Sequence, residues 1–406
     1  MAKIVFHSAG YWGDVMPYVP IANELAARGH EVTYALPVGH HALLAGERFA
    51  VTDSGNPFSP AHVGDDAGHA RHVERNGLRF AGALTGRYYV NEWVVPYVRG
   101  NVDALLRAGD GADLFVTHST AAMTTRIATD ALGLPFVSGS LFPMIIETVR
   151  LLPRPLHAVV GMLVGDRELN GVRRELGLRP MAFNATQAAV HDGMLLLWSE
   201  RFAPRTKGWD PSWRATGFTL WDGPSGQATD PAIDAWIDGG APPVVVTFGS
   251  SSAFVAQRLL ETVAVRLDDL GVRALFLTGP DAGVPRSMLG RPDVFPFAPL
   301  TRVLPRARAI VHSGGHGTNA AALTSGVPSV CLPLLIDQLW NAKRAAELGL
   351  GLVVKGTRRR AERVWEALDD VLGDDGYTTR ARSFAASLDG EDGVSTAADG
   401  IEHALG

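Results

Sequence analysis

Short apolar runs alternate with amphipathic stretches of helical length throughout both halves of the chain. Apolar runs bounded by glycine and proline are typical of buried strands, and strands separated by helices form βαβ units with a parallel sheet. The alternation therefore predicts an α/β fold. The predicted strands are residues 4–7, 32–36, 114–117 and 136–139 in the first half, and 244–248, 274–278, 294–297, 309–312, 329–332 and 351–354 in the second.

Length and composition predict two domains. A chain of 406 residues exceeds the size at which a single hydrophobic core keeps growing. The stretch 201–230 is rich in proline, glycine and tryptophan, which is typical of a connection between domains. We therefore expect an N-terminal domain over residues 1–205, a linker over 206–230 and a C-terminal domain over 231–390. A last helix within 391–406 is expected to pack back on the N-terminal domain.

Bulk composition argues against several classes of partner. Apolar residues make up 46% of the chain, charged residues make up 19%, and the formal net charge is −5. These values are typical of a soluble globular protein, and without a basic block nucleic acid is not an expected partner. The single cysteine, Cys331, excludes an intrachain disulfide and indicates a reducing compartment. No signal-peptide pattern and no apolar run of roughly 20 residues is present, so we expect a cytoplasmic protein without stable membrane insertion.

The most specific local motif is a glycine turn between a predicted strand and a predicted helix. Its sequence is His312-Ser-Gly-Gly-His-Gly-Thr318, and it lies between the strand at 309–312 and the helix at 319–324. Several backbone N–H groups at the start of a helix lack an intrahelical acceptor, and the helix dipole is positive there. Because open parallel sheets bind ligands at the carboxyl ends of their strands, the turn is predicted to bind a phosphate. Its spacing matches neither a Walker loop nor the dinucleotide-binding fingerprint.

Further short segments surround this turn in a fixed order. They are Phe297-Ala-Pro, Val303-Leu304-Pro305, Ala322-Leu323, Gly326-Val-Pro328, Pro333, Asp337-Gln338, Asn341-Ala342 and Arg344. Together with the turn they resemble the donor-site signature of family 1 glycosyltransferases. Those enzymes have the GT-B fold, in which two Rossmann-like domains with parallel sheets face an interdomain cleft, and they move a sugar from a nucleotide diphosphate sugar to a small lipophilic acceptor. The resemblance implies an acceptor-binding N-terminal domain and a nucleotide-sugar-binding C-terminal domain.

The N-terminal loop extends the resemblance and contains a candidate base. Gly10-Tyr-Trp-Gly-Asp-Val-Met-Pro17 resembles the Gly-x-Arg-Gly-Asp-Val-x-Pro opening of the subgroup that glycosylates antibiotics and sterols, with Trp12 in place of the arginine. The resemblance implies that Asp14 is the catalytic base that takes the proton of the acceptor hydroxyl. The alternative is that Asp14 caps the following helix. His7 and His118 are reserve candidates for the base, although a lone histidine is usually structural.

The resemblance also assigns the donor site. It implies that an aromatic ring at position 297 stacks on the base, although that ring also fits a strand core. It implies that the pair at 337–338 binds sugar hydroxyls, and the alternative for Asp337 is a helix cap. The predicted nucleotide-sugar-binding residues are Ser250, Ser251, Phe297, His312, Ser313, Gly314, Gly315, His316, Gly317, Thr318, Asp337 and Gln338.

Two departures from the family pattern bear on the donor. Ser313 stands where relatives most often have a histidine, so the phosphate contact is open between His312, His316 and the Ser313 hydroxyl. Ala321 stands where plant relatives place a ribose-binding glutamate. Losing that acceptor removes a reason to prefer a ribose 2′-hydroxyl. We therefore favour a dTDP-sugar over a UDP-sugar as the donor.

Two segments of the first half form the candidate acceptor pocket. Residues 68–99 are rich in aromatic side chains, and residues 140–164 are apolar with proline breaks. Ligand pockets are lined mainly by apolar and aromatic side chains, although such segments can also be plain core. The subgroup resemblance implies an antibiotic-like or sterol-like aglycone, with no cofactor and no metal. The predicted acceptor-binding residues are Trp12, Phe80, Tyr88, Trp93 and Phe142.

These features together predict an inverting, metal-independent glycosyltransferase that acts on a lipophilic natural product such as a macrolide, polyketide or sterol-like aglycone. One alternative is an auxiliary protein that has the same scaffold without activity, which the intact glycine turn argues against. Another is a nucleotide-sugar epimerase of related fold, which needs no large acceptor pocket. The acceptor atom, whether oxygen, nitrogen or carbon, stays open, and the protein is expected to be a monomer or a homodimer.

Overall fold

The computed structural model divides into two compact units. The first contains the described residues up to 224 together with Glu391–Gly406, and the second is Gly226–Gly390. Among the described residues, no helix combines the length and the apolar character that crossing a membrane requires. The described residues are 1–59, 90–143, 165–181, 193–207, 209–221, 223–224, 230–249, 257–279, 284–355 and 360–406.

Each unit is built on a parallel sheet, which confirms the predicted α/β class. The strands of the described residues are β1 (Lys3–His7), β2 (Glu31–Leu36), β3 (Ala50–Asp53), β4 (Leu114–His118), β5 (Phe136–Ser140), β6 (Leu195–Leu196), β7 (Arg214–Ala215), β8 (Val244–Thr247), β9 (Ala274–Leu277), β10 (Val294–Phe295), β11 (Ala309–His312), β12 (Ser329–Cys331) and β13 (Gly351–Val353). The first sheet has the order β3-β2-β1-β4-β5-β6-β7 and the second β10-β9-β8-β11-β12-β13.

Helices connect these strands, as βαβ topology requires. The described α-helices are α1 (Trp12–Val15), α2 (Val19–Ala27), α3 (His41–Leu44), α4 (Val98–Ala108), α5 (Ala122–Leu132), α6 (Asp166–Glu175), α7 (Pro231–Asp238), α8 (Gln257–Asp269), α9 (Leu300–Val303), α10 (His316–Ser325), α11 (Ile336–Glu347), α12 (Arg360–Gly373), α13 (Asp375–Ser387) and α14 (Gly393–His403). Single turns of 3-10 helix span Met16–Tyr18, Val38–His40, Val95–Tyr97, Arg286–Met288 and Leu304–Arg306, and a π-helix spans Val90–Val94.

The core of the first unit lies between β1 and α2. Ile4 and Phe6 alternate along β1 and are fully buried, because a strand points every second side chain to the same face. Ile21 and Leu25 lie one turn apart on α2 and are also fully buried against them. Burying each such side chain stabilises the fold by about 1.5–3 kcal/mol.

The core of the second unit surrounds β8. Its sequence, Val-Val-Val-Thr, has three apolar residues in succession, as expected for a parallel sheet whose two faces are covered by helices. Val244 and Val246 pack in one cluster with Val263 and Leu267 of α8 and with Leu368 of α12. β8 pairs with β11, and His312, the last residue of β11, lies opposite Thr247. The position of β8 in the core therefore sets where the glycine turn begins.

The strands predicted from the sequence are all present, with ends that shift by one or two residues, but three strands were not predicted. β3 lies at the edge of its sheet and is only partly buried, so its apolar signal is weak. β6 and β7 have two residues each, too few to show a period. β7 lies within residues 206–230, the predicted linker, yet it pairs with β6 in the first sheet.

The C-terminal helix α14 packs against α2 in the first unit. Ala397, Ala398 and Ile401 are fully buried in the same core as α2. Arg28, just after α2, donates hydrogen bonds to Glu24, Asp399 and Glu402.

Glu402 makes this contact sensitive to pH. A hydrogen bond from His30 and then one from Arg28 lower the pKa of Glu402 below its ordinary value of 4.5. The ionised carboxylate therefore favours the folded state above that value, and its contribution is lost as the pH falls below it.

We expect Arg28→Ala to lower the free energy of unfolding by about 1 kcal/mol, because it removes a network of partly buried ion pairs rather than one exposed pair. The measurement is urea unfolding followed by circular dichroism, at low and at high salt, since screening weakens ion pairs. The matched control is Arg107→Ala at the exposed end of α4, where the structure shows no ion pair within the described residues. Equal losses for the two variants at low salt would contradict the assignment.

Candidate functional site

The glycine turn of the second unit joins β11 to α10, as predicted. Gly314 has a φ of +88°, and a Cβ atom there would lie 2.6 Å from the backbone oxygen of Gln338. Only glycine combines that backbone conformation with such a close approach. Asn341 on α11 also donates from its side-chain amide to the Gly314 carbonyl oxygen, at 3.0 Å. The turn is therefore fixed against the start of α11.

His312 supports the turn from inside the protein. Its side chain is fully buried, and Nδ1 accepts a hydrogen bond of 3.1 Å from the Gly314 N–H. The ring proton is then on Nε2, which lies 3.3 Å from Sγ of Cys331. Burial lowers the pKa of His312 to about 4 and raises the pKa of Cys331 to about 12, so both groups are neutral at physiological pH. Both ring nitrogens thus have partners within the protein.

The other two candidates for the phosphate contact take different positions. Ser313 is buried, and its hydroxyl donates to the Phe248 carbonyl oxygen at 3.2 Å. His316 is the first residue of α10, with Gly315 as the N-cap. The sequence left the phosphate contact open between three residues. His312 and Ser313 support the turn, whereas His316 lies at the N-terminal end of α10.

Backbone amides at the start of α10 form a feature that suits an anion. The Asn319 N–H is bonded to the Gly315 carbonyl oxygen at 2.9 Å, which begins the helical pattern. By helix geometry, the N–H groups of the preceding first turn, Gly317 and Thr318 among them, have no intrahelical acceptor. Gly317 has open space around it, since an added Cβ would meet no heavy atom within 4 Å. This end of a ten-residue helix therefore combines outward-directed amides, a positive dipole and steric access.

The pair at 337–338 begins α11 beside the turn. Oε1 of Gln338 accepts the N–H groups of Leu334 and Leu335, at 2.9 and 3.1 Å, so the amide side chain closes the helix start. The sequence offers Asp337 as the cap; in the structure Gln338 accepts the N–H groups of Leu334 and Leu335, and the Asp337 carboxyl accepts backbone N–H groups of the first turn. Asp337 lies in the first turn with a partly exposed side chain, and burial of its carboxyl raises its pKa.

Phe297 lies on the loop between β10 and α9, and 41% of its surface is exposed. An exposed aromatic ring is free to stack on a planar ligand, whereas a strand-core ring is not. Ser250 and Ser251, the remaining predicted donor residues, lie outside the described residues. The preceding strand, β8, ends at Thr247 beside β11.

In the first unit, the loop after β1 presents Asp14. Its Oδ2 accepts a hydrogen bond of 2.9 Å from the Tyr11 N–H, so Asp14 does hold the start of α1. The side chain is still 28% exposed. Gly10 has a φ of +122°, and an added Cβ would collide with the Asp14 carboxylate. The loop is therefore shaped around this carboxylate.

His118 ends β4, the strand beside β1, and lies next to Asp14. Its Nε2 is 3.8 Å from Oδ1 of Asp14. Its Nδ1 accepts the Thr120 N–H at 3.3 Å and lies 2.6 Å from the Thr120 hydroxyl oxygen. The structure thus brings together Asp14, the candidate base, and His118, one of the two reserve candidates.

His7, the second reserve, belongs to a buried polar network. Its Nδ1 lies 2.8 Å from the Thr125 hydroxyl, and its Nε2 lies 3.3 Å from the Asn101 side-chain amide. Burial lowers the pKa of His7 to about 3. A neutral imidazole with both nitrogens engaged links β1 to α4 and α5, which is the structural role that is usual for a lone histidine.

Aromatic side chains line the same edge of the first sheet. Trp93 stacks on Phe58 with ring centroids 4.8 Å apart, and Phe58 meets Tyr11 edge-on at 5.6 Å. The sequence pointed to Trp93 but missed Phe58 and Tyr11. Phe58 lies on the loop after an unpredicted edge strand and showed no pattern, whereas Tyr11 was already part of the quoted motif.

The remaining acceptor predictions are distributed around this cluster. Trp12 packs edge-on against His40 at 4.4 Å, and Nε2 of His40 lies 3.0 Å from the Gly10 carbonyl oxygen. Burial lowers the pKa of His40 to about 4, so the neutral ring supports the loop. Phe142 follows β5 and is partly buried. Phe80 and Tyr88 lie outside the described residues.

No group of three or more His, Cys, Asp or Glu side chains within the described ranges is arranged to hold a metal.

A family model matches part of the second unit. Residues 290–392 match the family model described as the C-terminal domain of erythromycin biosynthesis protein CIII-like proteins. This range contains β11, the glycine turn, α10 and the start of α11.

Relatives align with nearly the whole chain. O-mycaminosyltylonolide 6-deoxyallosyltransferase of Streptomyces fradiae is 28% identical over 426 aligned positions, which cover 98% of this chain and 97% of the relative. Glycosyltransferase GtfE of Amycolatopsis orientalis is 26% identical over 428 positions, which cover 100% of this chain and 98% of the relative.

Solved structures share the architecture. The glycosyltransferase of kitacinnamycin superposes with a TM-score of 0.71 at 20% identity, covering 100% of this chain and 99% of that one. SsfS6 of Streptomyces sp. SF2575, complexed with thymidine diphosphate, gives 0.65 at 21% identity, covering 99% and 100%. Spinosyn rhamnosyltransferase SpnG, complexed with spinosyn aglycone, gives 0.66 at 19% identity, covering 97% and 98%.

The likeness to these solved structures shows that the chain has the GT-B fold, and its similarity along nearly the whole length is to proteins named as glycosyltransferases. This similarity agrees with the family 1 glycosyltransferases that the two sequence motifs resemble.

Two glycines of the turn are expected to respond in opposite ways to alanine. Gly314→Ala should lower the free energy of unfolding by about 2 kcal/mol or more, because it combines a positive φ with a collision against backbone. Gly317→Ala is its matched control and should be neutral or slightly stabilising, because the site is open and alanine favours a helix. The measurement is chemical unfolding of both variants. A destabilised Gly317→Ala or an unaffected Gly314→Ala would contradict this account of the turn.

Proposed function

We propose that this chain is an inverting, metal-independent O-glycosyltransferase that moves a sugar from a dTDP- or UDP-sugar to a hydroxyl of a lipophilic natural-product aglycone. The observation that carries the proposal is the glycine turn, which directs the first-turn backbone amides at the open start of α10. In this proposal the second unit binds the donor and the first unit supplies the base.

The donor diphosphate is proposed to bind the first-turn amides of α10, those of Gly317 and Thr318 above all. As the sugar leaves, negative charge builds on the departing diphosphate, and fixed N–H dipoles at a helix start stabilise such charge without reorganising. This is the role that a divalent cation plays in other phosphate-transferring sites, and here the backbone is proposed to supply it. Asp337, beside the turn, is proposed to bind a sugar hydroxyl.

The nucleoside is proposed to stack on Phe297, the exposed ring of the β10–α9 loop. A thymidine base is favoured for two reasons. The similar structure SsfS6 is complexed with thymidine diphosphate, and Ala321 lacks the carboxylate that the resemblance associates with a ribose 2′-hydroxyl.

The acceptor is proposed to bind along the aromatic edge of the first unit formed by Tyr11, Trp12, Phe58 and Trp93. Tyrosine and tryptophan rings bury large apolar area and suit a lipophilic aglycone. SpnG, a structure of the same fold, is complexed with spinosyn aglycone, which supports a ligand of this class.

The proposed reaction is a single displacement. Asp14 takes the proton of the acceptor hydroxyl as its oxygen forms a bond to the anomeric carbon, and the bond from that carbon to the diphosphate oxygen breaks on the opposite face. The configuration at the anomeric carbon therefore inverts. The nucleoside diphosphate leaves with the bonding electron pair, and Asp14 later releases its proton to solvent.

The proposal as a whole is tested by incubating the protein with dTDP-glucose and UDP-glucose and a library of polyketide, macrolide and sterol aglycones, with mass spectrometry of the products. A hexose added to an aglycone is the expected result. Nucleotide binding without transfer to any aglycone, or conversion of the sugar alone, would favour the auxiliary or epimerase alternatives.

Asp14→Asn is expected to reduce turnover by about 100-fold or more while leaving donor binding unchanged, because the amide keeps the shape of the side chain but is not a base. The measurements are steady-state kinetics with the best acceptor and calorimetric titration with the nucleotide. The matched control is Asp53→Asn, whose carboxylate likewise accepts a turn N–H, from Gly55 at 2.9 Å. Its turnover should stay near that of the wild type. Wild-type turnover in Asp14→Asn would remove the proposed base.

dTDP is expected to bind more tightly than UDP in calorimetric titrations. Phe297→Ala should weaken both nucleotides by about tenfold, since stacking on an aromatic ring does not depend on the base. This variant separates base stacking from discrimination between the two nucleotides. Tighter binding of UDP would overturn the dTDP preference, and unchanged affinities in Phe297→Ala would exclude the stacking role.

A further inference from the structure

We infer that His118 is the positioning residue for Asp14, with its Nε2–H group directed at Oδ1 of the Asp14 carboxylate across 3.8 Å. The inference rests on the proposed role of Asp14 as the base and goes beyond it, because it assigns a second residue to the same step. His118 acts through Asp14 and does not itself contact the substrate.

The tautomer of His118 follows from its partner on the other side. The backbone N–H of Thr120 can only donate, so Nδ1 of His118 is the acceptor in that 3.3 Å contact. A neutral imidazole then carries its proton on Nε2. Nε2 is the nitrogen that lies 3.8 Å from Oδ1 of Asp14, so the proton faces the carboxylate.

Burial decides which member of the pair meets the substrate. The His118 side chain is 0% exposed, whereas the Asp14 side chain is 28% exposed. Of the two side chains, Asp14 therefore reaches solvent and His118 lies behind it. An imidazole in that position can orient the carboxylate, but it has no surface with which to touch an acceptor hydroxyl.

The ring of His118 is held in place from a third direction. Tyr18 packs edge-on against it, with ring centroids 5.7 Å apart. The Tyr18 hydroxyl donates to the Gly139 carbonyl oxygen at 2.8 Å, and Gly139 is the direct partner of His118 across β4 and β5. A side chain at position 139 would collide with Tyr18. The sheet register thus locks the ring orientation.

The carboxylate has a protein neighbour at each oxygen, a hydrogen-bond donor at Oδ2 and an imidazole at the longer distance of 3.8 Å at Oδ1. Oδ2 accepts the Tyr11 N–H at 2.9 Å, and Oδ1 faces His118. Within the described residues, Tyr18 and Tyr34 also interact electrostatically with Asp14, and burial raises the pKa of each phenol well above its ordinary value. Both phenols therefore stay neutral, and His118 is the titratable neighbour with a proton directed at Oδ1. Misplacement of a catalytic group can lower the reaction rate by about 100-fold. A carboxylate that is kept in one orientation avoids much of that loss.

The decisive experiment is a double-mutant cycle on turnover. His118→Leu should lower kcat roughly 10- to 100-fold with little change in the KM for the donor. His118→Gln, whose side-chain amide places an N–H near the position of Nε2, should recover most of that loss. In the Asp14→Asn background, His118→Leu should change the residual rate by less than about twofold, because residues that act as a unit are non-additive.

His7→Leu is the matched control. His7 is as buried as His118 and ends the neighbouring strand, but its contacts are with Thr125 and Asn101. Its removal should lower the melting temperature. Any factor by which it reduces kcat should be the same in the wild-type background and in the Asp14→Asn background. The absence of coupling distinguishes loss of packing from loss of positioning.

Each outcome decides the inference. Independent, multiplicative effects of His118→Leu and Asp14→Asn, or equal rates for the Leu and Gln variants, would overturn the positioning role while leaving Asp14 as the base. Wild-type turnover in Asp14→Asn alone would instead overturn the proposed base and, with it, this role. Should His118→Leu fail to fold, long-range ¹H–¹⁵N spectra of histidine-labelled wild-type protein still test the inference. A proton on Nε2 of His118 supports it, and a proton on Nδ1 contradicts it.

Discussion

The glycine turn of the second unit depends on one backbone contact, the approach of Gly314 to the carbonyl oxygen of Gln338. This contact is possible only without a side chain, and it brings the turn after β11 against the start of α11. Gln338 caps α11 and Asn341 holds the Gly314 carbonyl oxygen, so two helix starts share one anchoring point. The first-turn amides of α10 therefore have a fixed direction, as preorganised charge stabilisation requires.

Buried neutral histidines perform similar work in both units. His312 accepts the Gly314 N–H, His40 contacts the Gly10 carbonyl oxygen, and His7 joins α4 and α5 to β1. Burial lowers the pKa of all three, so each ring offers one donor and one acceptor instead of a charge. Loops at the carboxyl edges of both sheets are thereby held without buried ions, whose desolvation is costly.

The chemistry of the two units is complementary in kind. The second unit presents backbone donors, which suit a departing diphosphate, and the first presents a carboxylate with aromatic neighbours, which suit the deprotonation of a lipophilic alcohol. Asp14 both accepts the Tyr11 N–H and keeps an exposed surface. The structural and catalytic interpretations of this residue are therefore compatible, because one oxygen serves the loop while the carboxylate still reaches solvent.

The sequence by itself determined the α/β class, nearly all long strands and the glycine turn, because apolar periodicity and glycine spacing are local properties, and its motifs showed the resemblance to glycosyltransferases. It did not reveal β6 or β7, which are too short to show a period, or the contribution of Phe58, which lies after an edge strand. Only the tertiary structure decided that His312 supports the turn, that Gln338 caps α11 and that His118 faces Asp14. Those roles depend on which strands are neighbours and on the direction of each ring, and residues distant in sequence carry no local signal of either.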